Sequence, residues 1–206
     1  MRGLLPMVVA LVGCHGAHRL PDDARLELQE AAARSRGSAN AVYQGHVHAR
    51  DRRDAPALYR YERAVVDEGP LRRATHITFT PSSEPVVLHE AVYDTDDTLR
   101  RFRSIHAQTG LVGDVRIDAD GRATFRTNRH RRVRVEPPGA PLHAGPTLFG
   151  FVLRQWDALA AGAAVPLRFV SLEHARSYPF ELRRVDGPAD TIVVRMVPTN
   201  PFVALA

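Results

Sequence analysis

The stretch LRRATHITFTPSSEPVVLHEAVYDTDDTLRRFRSIHAQ, residues 71–108, decides the fold. Within it Thr75, Ile77 and Phe79 keep a period of two, and Pro81 to Pro85 breaks the run. Val86 to Tyr93 resumes the alternation, and Asp94-Thr95-Asp96-Asp97 turns the chain into Leu99 to Gln108. A period of two places successive side chains on opposite faces, as half-buried strands require. Clusters of Pro, Ser and Asp between such runs are turns. Working outward, Val42 to Arg50 and Leu58 to Val66 read as strands, the second with Tyr59, Tyr61, Arg63 and Val65 on one side. Downstream, Thr109-Gly110 introduces Val112 to Asp118, and Ala119-Asp120-Gly121 is a tight hairpin into Arg122 to Asn128. This spacing describes an antiparallel meander.

The meander is interrupted once. Pro137 to Pro141 is a Pro-rich loop, after which Gly145-Pro146 opens a helix over 146–161 with proline in its first turn. Phe149, Val152, Leu153, Trp156, Leu159 and Ala160 fall on one helical stripe, and Gly162 closes the helix. Strands return at Val165 to Leu172, Ser177 to Val185 and Thr191 to Pro198. Near the start, Asp22 or Asp23 caps a short helix that Gly37 ends. Its apolar face (Leu26, Leu28, Ala31, Ala32) is thin, as suits a helix lying on another element. The expected fold is mainly β with helices (α+β): a curved antiparallel sheet or half-open β-barrel, with one amphipathic helix packed in its concave face.

The totals agree with one ordinary domain. The chain has 206 residues, 44% of them hydrophobic and 25% charged. Its net charge of +5 rests on 28 arginines and no lysine. Lysine serves phosphate as well as a point charge can, so its total exclusion points to codon bias rather than to a selected basic surface. The one cysteine, Cys14, rules out an intrachain disulfide or a thiolate metal cluster.

Met1-Arg2 is a short basic start and Gly3 to Gly13 is apolar except for Pro6. Such a segment is too short for a membrane-spanning helix, which needs about 20 residues, and has the length of a signal-peptide core. Leu11-Val12-Gly13-Cys14 resembles the lipobox of bacterial lipoprotein precursors. Cleavage between Gly13 and Cys14, and acylation of the Cys14 thiol and amine, would follow. At ~0.8 kcal/mol per buried CH₂, two or three chains hold a protein firmly to a membrane. The expected organisation is a signal peptide over 1–13, a lipidated tether and short helix over 14–40, and the β domain over 41–206. The absence of Asp after the cysteine, where His15 stands, resembles the outer-membrane pattern, so the expected location is the periplasmic face of the outer membrane.

Arg73-Ala74-Thr75-His76-Ile77, Gln108-Thr109-Gly110, Gly145-Pro146-Thr147-Leu148-Phe149-Gly150-Phe151 through Trp156, and Pro198-Thr199-Asn200-Pro201-Phe202 resemble an uncharacterised family of bacterial exported lipoproteins. That family is similar in strand order to the periplasmic lipoprotein carriers and their outer-membrane receptors (LolA/LolB-like), which are half-open barrels with an apolar cavity for acyl chains. The resemblance implies a lipid or other apolar ligand and transfers no binding residue. Similar chains continue beyond the Asn-Pro segment, so an edge strand is expected to be missing after Ala206.

Enzymatic signatures are weak. No serine lies in Gly-x-Ser-x-Gly, and the spacing of Ser171 and His174 across a strand end gives no reason to expect a nucleophile–base bond. His46 and His48 share a strand face and, with His76 or His89, are the only zinc-like set, with solvated strand histidines the better reading. Asp118-Ala119-Asp120-Gly121 echoes a calcium loop but has Arg116 and Thr127 where carboxylates are needed. Asp94, Asp96 and Asp97 read as turn residues. Arg126, Arg129, Arg131, Arg132 and Arg134 form a basic run on a strand, a solvated face or a site for anionic lipid head groups. The expectation is a non-enzymatic lipoprotein without cofactor or metal, bound to a membrane through Cys14 and not to nucleic acid. Phe149, Val152, Leu153, Trp156 and Leu159 are its cavity candidates. The alternatives are a structural or assembly lipoprotein of the envelope and a metal-dependent hydrolase.

Overall fold

The computed structural model describes residues 19–35, 37, 39–49, 55–185 and 193–200. The chain starts with α1 (Asp22–Arg34) and then runs through β1 (Ala41–Val47), β2 (Tyr59–Glu68), β3 (Leu71–Phe79) and β4 (Pro85–Asp94). It continues with β5 (Leu99–His106), β6 (Leu111–Ile117), β7 (Ala123–Thr127) and β8 (His130–Glu136). These eight strands form one antiparallel sheet in sequence order, unclosed, with β1 and β8 at its edges. The expected meander is therefore present. Its turns are built as composition suggests: Gly121 takes φ +78°, and the Asp118 carboxylate accepts the N–H groups of Asp120 and Arg122.

Strict alternation gives the sheet two apolar faces. On one, Ile77, Leu88 and Ile105 pack with Leu20, Ala24, Leu28 and Ala31, so α1 lies on the sheet and seals it. Arg103 donates to both carboxylate oxygens of Glu27, at 2.7 and 2.5 Å, and fixes the helix in register. The opposite face is the inner one. Ala74, Ala91, Phe102, Val115 and Phe125 form its core and meet Leu142, Ala144, Val170 and Leu172 from the rest of the chain.

Leu142 and Val170 belong to a second sheet, which the meander reading did not separate, and Ala144 and Leu172 flank its strands. Here β9 (Leu142–His143), β10 (Val165–Ser171), β11 (Arg176–Val185) and β12 (Val193–Pro198) pair in the order β12-β11-β10-β9. The two-residue β9 runs parallel to β10, so a crossover must join them. The crossover is helical, and it replaces the continuous helix expected over 146–161 with two pieces, α2 (Gly145–Arg154) and α3 (Trp156–Ala160). Gln155, at φ −89° and ψ 10°, separates them. Phe151 of α2 and Leu159 of α3 enter the core with Val165, Leu167 and Leu182. The continuous helix is thus corrected to two short ones, of which α2 contacts β3 and β4, and the single sheet to two. The outer side of α2 is tied to the β4–β5 turn by Arg154, which donates to the buried Asp97 carboxylate and to the Thr95 carbonyl. That carboxylate lies over Gly150, where a Cβ would stand 3.0 Å from its oxygens. Asp97 is more than a turn residue.

Candidate functional site

Cross-strand pairing on the inner face sets the site. Registers align Tyr43 with Arg63, Arg63 with His76, His76 with His89, and His89 with Ser104. Each pair points to the same face because antiparallel partners share their pleat. One step to one side lies the apolar row Ala74, Ala91, Phe102 and Val115, covered by the second sheet. The polar row borders open space beside it.

That space holds two chambers, together the cleft, and Gly145, the first residue of α2, lines both. The inner chamber, about 240 Å³, has Phe102, Leu111, Phe169 and Leu172 in its walls and His89, Ser104 and His106 on its floor. The outer chamber, about 170 Å³, is bordered by Tyr43, Tyr61, Arg63, His76, Pro146 and Phe149. Gly45 lets the second chamber form: a Cβ there would stand 2.3 Å from the Tyr61 ring, which lies across it.

Its electrostatics are those of a nearly neutral groove with one cation. Burial, and then the Arg63 charge, lower His76 to about 4. Burial, followed by repulsion from His106 and His76, brings His89 down to about 3. His106 is lowered by burial, against the opposing pull of Glu173. All three rings are therefore uncharged at neutral pH. The Nε2 atoms of His89 and His106 lie 3.0 Å apart, so one ring donates its only Nε2–H to the other. Ser104 is 2% exposed and its hydroxyl has no partner among the described residues. Arg63 donates to the Pro146 carbonyl at 3.3 Å and lies 5.4 Å from the Tyr43 ring centre. Apolar walls, neutral polar floor and a single guanidinium suit an elongated, mostly apolar ligand.

The helical stripe chosen from sequence is largely on the wrong side. Phe149, Leu153 and Trp156 are 64%, 56% and 37% exposed. Val152 is partly buried and Leu159 fully buried, both in the α2–α3 core rather than in the cleft. Only Phe149 of the five borders the cleft. The residues that do form it, Tyr43, Tyr61, Arg63, Ser104 and His106, sit on strands. A local signal existed only for Ser104 and His106, polar residues in phase with the buried Phe102; Tyr61 and Arg63 alternate with the buried Glu62 and Ala64, and β1 has no buried position. Locating them together needed the register, which no single strand contains.

The suggested zinc-like histidine set is not assembled. His46 pairs with Arg60 on the α1 side of the sheet, whereas His76 and His89 face inward. His48 Nδ1 is 2.9 Å from the Ala55 carbonyl, and no group of three metal-type ligands converges among the described residues. Ser171 and His174 correct a different expectation: Ser171 Oγ lies 3.0 Å from His174 Nδ1. The bond is local to the turn in which the Ala175 N–H meets the Leu172 carbonyl, and the His174 ring rests edge-on against Tyr178. Asp94 is spent on its turn, accepting from Asp96, Thr98 and Arg100. Gly13 and Cys14 lie outside the described residues. No family model, curated protein or solved structure matches the chain.

Proposed function

We propose that this chain is a lipoprotein of the bacterial envelope, anchored through acyl chains on Cys14, that binds or carries a lipid or other apolar ligand without turning it over. The observation that carries the reading is the cleft on the inner face of the unclosed sheet, with apolar walls beside Gly145 and an uncharged floor. On this reading the sheet acts as a half-open barrel, as the likeness to the lipoprotein carriers and receptors implies, with the start of α2 beside its opening. On the same reading the lipobox-like 11–14 gives the anchor, and His15 in place of Asp after the cysteine points to the periplasmic face of the outer membrane.

Every described element lies within residues 19–200, so a soluble chain beginning at His15 retains them all. Native mass spectrometry of that chain is expected to show a co-purified lipid, released on denaturation. A spectrum of bare protein, unchanged after incubation with lipid extract, overturns the carrier reading. Separately, labelled palmitate is expected to attach to the full-length chain and not to its Cys14→Ser variant. Equal labelling of both removes the anchor.

A second reading, an assembly lipoprotein with no small ligand, is favoured by one feature, the exposed Phe149, Leu153 and Trp156 on one side of α2 and α3. In-cell cross-linking from Leu153 that traps one stoichiometric envelope protein, with an empty cleft, would select it.

A further inference from the structure

We infer that the ligand of the cleft is an anionic amphiphile, whose carboxylate or phosphate head sits at Arg63 in the outer chamber and whose tail enters the inner one. This deepens the carrier reading and rests on it.

The argument begins with what Arg63 lacks. Arg60, Arg103, Arg154 and Arg168 each lie on a carboxylate: Glu62, Glu27, Asp97 and Glu136. Arg63 has none among the described residues; it has one carbonyl oxygen and one tyrosine face. Its Nε is buried and unpartnered. A guanidinium offers five donors in a planar fork, and most of this fork is unused. The hydroxyls of Tyr43 and Tyr61, which border the same chamber, have no hydrogen-bond partner among the described residues and can donate to the same oxygens.

Inside the two chambers Arg63 faces only neutral histidines. The Asp67 and Asp97 carboxylates, which border a neighbouring pocket with Arg63 and Arg72, are already held by Arg72 and Arg154. Glu173, at the far end of the inner chamber, is engaged with Arg129 at 3.6 Å. Gly145 places the positive end of the α2 dipole beside both chambers, which also favours an anion. The polarity is therefore graded along the groove, from a cation at Arg63 to the hydrocarbon of Phe102, Leu111 and Leu172. Arg63 on β2 and Leu111 on β6 are four strand spacings apart, roughly 19 Å at ~4.8 Å each, the reach of an extended acyl tail that passes Gly145 from one chamber to the other. In the inner chamber the Ser104 hydroxyl, buried and unpartnered, is a donor that a second polar group on the ligand, such as an ester carbonyl, can engage.

The test uses the chain beginning at His15, its circular dichroism matched to the full-length protein, and three probes with the same tail: dodecanoate, dodecyl phosphate and dodecanol. Titration calorimetry is expected to give both anions at least a tenfold advantage over dodecanol. The carboxylate–phosphate order tells a fatty acid from a phospholipid-type head. Arg63→Gln is expected to erase the advantage while leaving dodecanol binding unchanged, and Arg63→Lys to keep part of it. Should Arg63→Gln not fold, the wild-type protein still decides: anion affinity must fall as salt rises from 20 to 500 mM while dodecanol affinity does not. Equal binding of all three probes, or a salt-independent anion, overturns the anionic head while sparing the carrier reading. Failure of every probe to bind overturns both.

Discussion

Ser104 is a buried hydroxyl with nothing to bond, and burial of an unsatisfied polar group costs free energy. Ser104→Ala is therefore expected to leave the melting temperature of the empty protein unchanged or slightly raised, as thermal denaturation will show. A fall of several degrees would mean that the hydroxyl has an internal partner. The histidines give a second residue-scale prediction. His76, His89 and His143 have pKa values pulled below the free value of 6.5, to about 4, 3 and 4. A base whose pKa falls on folding contributes stability that is whole above 6.5. It is lost as pH descends toward 4, because the unfolded chain takes up protons that the folded one refuses. The melting temperature should be level between pH 8 and 7 and decline from 6.5 downward. His143 stands alone in this, stacked 4.0 Å from Phe151 with its Nε2 unpartnered, so His143→Leu should shallow the decline. An unaltered slope would exclude its part.

Elements differ in how far they could be read from sequence. The strands were legible because alternation is a local signal, and β2 to β7 fall where periodicity places them. α1 was legible as a helix lying on something, and its residues separate cleanly by contact. Leu28 is 2% exposed while Leu26 is 56% exposed. Leu28→Ala should cost about 2–4 kcal/mol in denaturant unfolding, and Leu26→Ala less than about 0.5 kcal/mol. α2 was legible as a helix but not in its facing. The stripe put Phe149 and Leu153 on its inner side, whereas α2 turns Phe151 inward and leaves Phe149 exposed, and the helix stops at Gln155 and starts again as α3. Phe151→Ala should cost about 3–5 kcal/mol and Phe149→Ala well under 1 kcal/mol. Equal losses would restore the stripe as the core face. β9 was not legible, since two residues carry no period, and its pairing with β10 exists only through the crossover.

At the scale of the molecule, the candidate cleft belongs to no element. Tyr43, Arg63, His76, His89 and Ser104 come from five strands and become neighbours through four registers. Sequence reading named two of them, His76 and His89, as alternative third partners for His46 and His48 while preferring solvated strand histidines, because strand parity alone does not say which face of the sheet is inner. What tells the faces apart is α1, which seals the side that His46 and Arg60 share.

An unclosed sheet also has two borders, and the one at β8 is furnished in a particular way. His130 to Val135 are all exposed, with Arg131, Arg132 and Arg134 among them, and none of these three guanidiniums meets a carboxylate among the described residues. If a second molecule offered the same strand head to tail about Val133, Arg132 and Arg134 of each would confront one another across the seam, cation against cation. Hydrogen-bonding groups along that margin stay available to water while refusing a twin, so a protein that never shuts its own circle is guarded against being shut by its neighbour.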